Sequence, residues 1–204
     1  MKRKKINKLM NIKDFLCPNT RFIILIVSVI NFSFAYFQKT ENKIYWNANR
    51  LLTWDDFIEK AQTDGKNEAI SSTGVSFSAK IENTKLEIDI ICYFDKKKSW
   101  VKINSKDENG LIHEQGHFNI SEIFARKFRK TIIESKFKTK TLNNKLKNMA
   151  DENMNELNKY QDLYDKETDH YRNDVKQIEW NSKIAKELKD LENYNESHIV
   201  IKVK

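Results

Sequence analysis

Two histidines, His113 and His117, stand four residues apart with Glu114 beside the first, in the pattern H-E-x-x-H. On an α-helix that spacing turns through roughly 40°, so both imidazoles can reach one metal ion. Glu114 lies next to them and can act as a general base toward a water on that ion. The pattern points to metal-assisted hydrolysis, with Zn²⁺ as the expected ion. A catalytic zinc has three protein ligands and one open position, so a third ligand must come from elsewhere in the chain.

His170 and His198 are the histidines that remain. His198 sits in a polar tail, whereas His170 stands between two helical stretches, where the chain can turn back over the ion. The expected ligands are therefore His113, His117 and His170. Asp165 and Glu167 are the alternatives, either as ligands or as groups that orient a ligand histidine. Glu122 follows His113 by nine residues and so faces the other side of the helix; it is expected to pair with Arg126. Tyr164 and Tyr171 are the candidate donors to an oxyanion.

Such a site requires the pattern to lie on a helix held in a core. From about Asn109 to Phe137 the chain carries Ile112, Phe118, Ile120, Ile123, Phe124, Phe128 and Ile132, which predicts that helix. Gly116 costs about 1 kcal/mol relative to Ala inside a helix, and so marks a place where another segment or a substrate approaches closely. Upstream the period changes to two. Val75 to Ala79, Leu86 to Phe94 and Ser99 to Ile103 read as a small antiparallel sheet, with Lys96, Lys97 and Lys98 at a solvated hairpin tip. Ser99 to Ile103 is the expected edge for an extended peptide.

Thr53 is placed to cap a short helix whose Trp54 and Phe57 pack inward. Downstream, Leu142, Leu146, Met149, Leu157, Tyr160 and Leu163 mark one long helix, and Tyr171, Val175, Ile178, Ile184, Leu188 and Leu191 mark another. Ile199 to Val203 either adds an edge strand or frays. Strands before residue 104 and helices after it make an α+β fold.

The first 35 residues read as a signal peptide. Seven basic residues precede or flank an apolar run, Phe22 to Ile30, and Ser33 and Ala35 have the small-residue spacing of a cleavage site. The run is short for a membrane span, which needs about 20 residues; an uncleaved anchor is the alternative. The expected mature chain, 36–204, is one domain exported to the periplasm or the exterior. It keeps 30 basic and 28 acidic residues, a net charge of +2, so the pI near 9.2 reports mostly the leader and argues against nucleic-acid binding. Cys92 alone remains after cleavage, which excludes an intrachain disulfide.

Several blocks resemble the bacterial family known as domain of unknown function 922, described as secreted zinc-dependent proteases. They are Leu52-Thr53-Trp54-Asp55-Asp56-Phe57, Ser99-Trp100-Val101, the run from His113 to Glu122 with Ala125-Arg126, then Tyr164-Asp165, Thr168, His170, Gln177 and Trp180. In the family pattern aspartate is common where Asn119 stands, and glycine where Tyr171 follows His170. The resemblance implies a zincin-like domain that hydrolyses a peptide or protein substrate. A zinc amidase acting on cell-wall peptides would use the same residues. A non-catalytic envelope protein with a structural zinc would need a fourth protein ligand.

Overall fold

Alternation along β4 (Lys85–Asp95) sets the architecture. In the computed structural model, which describes residues 42–61 and 67–204, its Leu86, Ile88, Ile90, Cys92 and Phe94 all point to one buried face, as the two-residue period of a strand requires. The expected signal peptide lies outside the described residues. β3 (Thr73–Glu82) pairs with β4 along its whole length, from Glu82↔Lys85 to Thr73↔Phe94. The turn between them is two residues long, with Asn83 at φ 56°.

The other edge of β4 is divided between two short strands. β1 (Lys43–Tyr45) pairs antiparallel with residues 93–95, and β6 (His198–Lys202) pairs antiparallel with residues 85–89. The C-terminal tail is thus an edge strand. Its end is fastened further, by the Val203 N–H to the Thr84 carbonyl and by a bridge between Phe137 and Val203.

The lysine run is not a hairpin tip. Asp95 accepts a hydrogen bond from the Lys97 N–H, and the Ser99 hydroxyl donates to the Asp95 carbonyl, which winds Lys96–Lys98 into a single 3₁₀ turn. After that turn comes β5 (Trp100–Val101), which does not join the main sheet. β5 pairs instead with β2 (Ala69–Ile70) in a separate two-stranded sheet. At the start of the fold, the Thr53 N–H and hydroxyl both donate to Asp56 Oδ2, and Phe57 packs between Trp54 and Phe94.

Helix α1 (Glu108–Ile133) begins where the Asp107 carboxylate accepts the Gly110 N–H at 2.8 Å. It ends four residues before the expected Phe137, whose side chain is buried beside the tail instead. One side of α1, with Phe118, Ala125, Phe128 and Ile132, meets the buried face of the sheet. A second side, with Ile120, Ile123 and Phe124, meets Leu157, Tyr164, Trp180 and Ile184 of two further helices, α2 (Leu142–Thr168) and α3 (Asp174–Asp190). Among the described residues no strand falls between 109 and 189, so strands and helices are segregated as expected.

The faces of α2 and α3 differ from the sequence reading. Tyr164 is buried where Leu163 was expected, and Val175 and Ile178 are two-thirds exposed while Gln177 and Trp180 are buried. Polar groups explain the rotation, because Gln177 and the Trp180 indole N–H each find partners inside. Glu122 faces away from His113, as its phase requires. Its Oε1 accepts from Arg126 and also from Arg129, both at 2.9 Å, and Arg129 continues to the Ile90 carbonyl at 2.8 Å. This buried cluster ties α1 to the sheet.

Candidate metal centre

His113 and His117 project from the first half of α1 toward the last two turns of α2. There Asp165 Oδ1 lies 3.1 Å from His113 Nε2 and 2.9 Å from His117 Nε2, and the two Nε2 atoms are 3.1 Å apart. Three ligand atoms thus converge on one point. Ligands at about 2.1 Å from a tetrahedral ion stand roughly 3.4 Å from one another, and these distances approach that spacing. His170 stands at the outer side, with Nδ1 3.8 Å from Asp165 Oδ1 and its side chain half exposed. One ligand atom each from His113, Asp165 and His170 lies within 4.8 Å of the other two, close enough to hold a metal ion.

The histidine rings are held from behind. His113 stacks on Tyr164, with centroids 4.5 Å apart and planes 15° from parallel, and His117 meets the same ring edge-on at 5.0 Å. Tyr164 reaches this position only because residue 116 is glycine. A Cβ there would lie 2.2 Å from the Tyr164 hydroxyl oxygen and 2.7 Å from Cζ. The close approach expected at Gly116 is therefore made by another helix.

The site opens into a cleft of about 610 Å³. Its walls are residues 67–74 with Tyr93 on one side, and Met154, Leu157, Asn158 and Gln161 of α2 on the other. Among the described residues two buried side-chain polar atoms lack a partner, Glu114 Oε2 and Ser71 Oγ, and both residues line this cleft. The strand expected at Ser99 to Ile103 does not line it: Trp100 and Val101 are buried behind β2. Residues 67–74 occupy the wall instead.

The turn after α2 brings His170 and Tyr171 to the mouth of the cleft. Asp169, His170 and Tyr171 take consecutive left-handed backbones, with φ of 48°, 49° and 66°, and the Asp169 and His170 N–H groups both donate to the Asp165 carbonyl. Left-handed geometry costs a non-glycine residue roughly 1–2 kcal/mol. Tyr171 is anchored across the cleft through its hydroxyl, which donates to Glu68. Burial first, then that hydrogen bond and the Glu68 charge, push the Tyr171 hydroxyl up to about 12, so it stays protonated.

A profile of bacterial proteins of unknown function (DUF922) matches residues 60–171, more than half of the chain. The chain belongs to this family. The match runs from before β2 through α1 and α2 to Tyr171, and so contains every convergent ligand atom and both walls of the cleft. No curated protein and no solved structure matches the chain. The φ of 66° at Tyr171 is one that favours glycine, the residue the family resemblance leads one to expect there. Asn119 accepts through its oxygen from Trp46 Nε1 and Gln115 Nε2 at 2.9 Å each, a role that the aspartate expected from the family resemblance could also fill.

The other candidates of this DUF922 chain separate by burial and partner. Tyr164 is fully buried and its hydroxyl donates to the His113 carbonyl at 3.2 Å, so it is not free for an oxyanion. Tyr171 lines the cleft. Glu167 accepts from Trp180 Nε1 at 2.8 Å and stands outside the convergent group, whereas Asp165 is at its centre. Gln161 escaped the sequence reading, and Gln177 entered it only through the family resemblance, without a role at the site. Gln161 Oε1 meets His117 Nδ1 at 2.5 Å, and Gln177 Oε1 meets His113 Nδ1 at 3.0 Å. The spacing 157, 161, 164, 165, 168 along one face of α2 was the available signal, masked because Gln161 is polar.

Electrostatics couples the metal-free site to pH. Burial opposes a charge on His117, but the Asp165 hydrogen bond, the Glu114 and Asp165 charges and the Gln161 contact outweigh it and hold His117 up to about 9. Burial likewise works against the Asp165 charge, and the two histidines overcome it, holding the carboxyl well below its usual range. Because the folded value of His117 exceeds its ordinary 6.5, the stabilisation is complete below pH 6.5 and is lost as pH rises through about 9. Metal binding must displace that proton, so metal affinity should run the opposite way and rise over the same interval. Thermal melts with chelator and with metal across this range should show the metal-free form losing stability while the loaded form gains on it. A metal-free melting temperature flat across the interval would contradict the ion pair.

Proposed function

We propose that this protein is a zinc-dependent hydrolase of peptide bonds, with Zn²⁺ held by His113 Nε2, His117 Nε2 and Asp165 Oδ1, and with Glu114 as general base. One observation carries the reading: three ligand atoms converge on the floor of an open cleft beside a buried carboxylate oxygen that has no partner. Two imidazole nitrogens and a carboxylate oxygen are a ligand chemistry suited to zinc. We take Asp165 as the third ligand ahead of the expected His170, because its oxygen is within 3.1 Å of both histidine nitrogens, whereas His170 stands farther out, 3.8 Å from Asp165 and within 4.8 Å of His113.

Zinc bound there would lower the pKa of water and polarise a carbonyl oxygen. The Glu114 carboxylate, which lines the cleft, takes a proton from a water there and passes it to the departing amine nitrogen. Tyr171 is the hydroxyl on the wall that can turn from Glu68 toward a developing oxyanion. The substrate, an extended peptide, lies along residues 67–74, where the unpartnered Ser71 hydroxyl can bind its backbone.

The position of His170 supports one other reading. Were it a fourth ligand, the site would be closed and its zinc structural. His170→Ala separates the two. In the hydrolase reading the purified variant keeps one zinc per chain, whereas Asp165→Ala loses it. Loss of zinc from both variants, without peptide cleavage by the wild type, would establish the structural site instead.

A further inference from the structure

Each of the two helix histidines is held by a glutamine at its ring, and that glutamine is linked back to the histidine's own main chain, directly for His117 and through the Tyr164 hydroxyl for His113. Gln161 Oε1 lies 2.5 Å from His117 Nδ1, and its Nε2 donates to the His117 carbonyl at 3.0 Å. Gln177 Oε1 lies 3.0 Å from His113 Nδ1; its Nε2 donates to the Tyr164 hydroxyl at 2.7 Å, and that hydroxyl donates to the His113 carbonyl at 3.2 Å. Both loops close on the residue where they start. Gln177 is buried, and its Nε2 donates a second time, to Asn181 Oδ1 at 2.8 Å.

The loops fix which ring nitrogen carries a proton. A main-chain carbonyl only accepts, so Gln161 must turn its NH₂ toward the His117 carbonyl and its oxygen toward Nδ1. That oxygen only accepts as well, so Nδ1 must be the protonated nitrogen. The same reasoning runs through Gln177, whose NH₂ serves the Tyr164 hydroxyl and the Asn181 oxygen. From this geometry we infer that Gln161 and Gln177 are positioning residues that hold His117 and His113 as Nδ1–H tautomers, leaving both Nε2 atoms to bind zinc. Such support from behind a ligand histidine often comes from a carboxylate; here both acceptors are neutral amides, which orient the rings without adding negative charge.

The inference rests on the zinc reading, and its test keeps the two apart. Zinc affinity is measured by chelator competition on the full chain for wild type, Gln161→Leu, Gln177→Leu, Gln161→Glu and Gln177→Glu, with a thermal melt of each. Each leucine variant should bind zinc about 10- to 100-fold more weakly, and each glutamate variant, which restores an acceptor for Nδ1–H, should recover much of that loss. A role in packing alone predicts the reverse order, since leucine fills the space and glutamate buries a charge. A second readout needs no variant: long-range imidazole ¹⁵N spectra of the zinc-loaded wild type should show both rings protonated at Nδ1. Zinc binding by the leucine variants equal to wild type, or Nε2–H tautomers in the spectra, overturns the inference alone. A wild type that binds no zinc overturns the metal reading and this inference with it.

Discussion

Glu114→Gln should leave zinc content unchanged and lower peptide hydrolysis by about 10²- to 10⁴-fold, the range that general acid–base catalysis contributes. Glutamine fills the same space and keeps a carbonyl oxygen, but it cannot take a proton from water. Zinc should stay because Glu114 is outside the convergent group: the short contacts run among His113, His117 and Asp165. Zinc analysis and a peptide-cleavage assay on the same preparation give both readouts. A variant that keeps its zinc and more than a tenth of wild-type activity would remove Glu114 as the base.

Gly116→Ala should destabilise the protein, by about 1–3 kcal/mol, although helix propensity alone predicts a gain of about 1 kcal/mol. The sign is decided by Tyr164. An added methyl would overlap its hydroxyl oxygen at 2.2 Å and its ring at 2.7 Å, and the ring is the rigid part of a fully buried side chain. Tyr164 cannot retreat without leaving His113, on which it stacks, and Gln177, whose amide it accepts. Zinc affinity should therefore fall together with stability. Chemical denaturation of the metal-free protein measures the first effect and chelator competition the second. A variant as stable as wild type, with unchanged zinc affinity, would mean that α2 lies farther from α1 than the structure places it.

The part of this protein that its sequence determines is local. The four-residue spacing of His113 and His117 places both rings on one side of a helix whatever the helix packs against, and the nine-residue spacing sends Glu122 to the opposite side. Alternation in β4 and the apolar period of α1 likewise follow from the chain's own geometry, so the segregation of strands from helices was legible. Gly116 announced a close neighbour without naming it.

What the tertiary structure alone decided are the partners across long separations. Asp165 reaches the histidines because α2 turns Leu157, Gln161, Tyr164 and Asp165 toward α1, whereas the apolar stripe read from the sequence pointed to Leu163. Three consecutive left-handed residues then carry His170 past the centre to its outer side, a bend that no periodicity encodes. β5, which follows one 3₁₀ turn capped by Asp95, pairs outside the main sheet. Hydrophobic periodicity says which side of an element is buried; it does not say which polar groups are buried with it. A buried polar group is tolerated only where a partner meets it, and those partners, Gln161 and Gln177 for the histidines, come from helices distant in the chain.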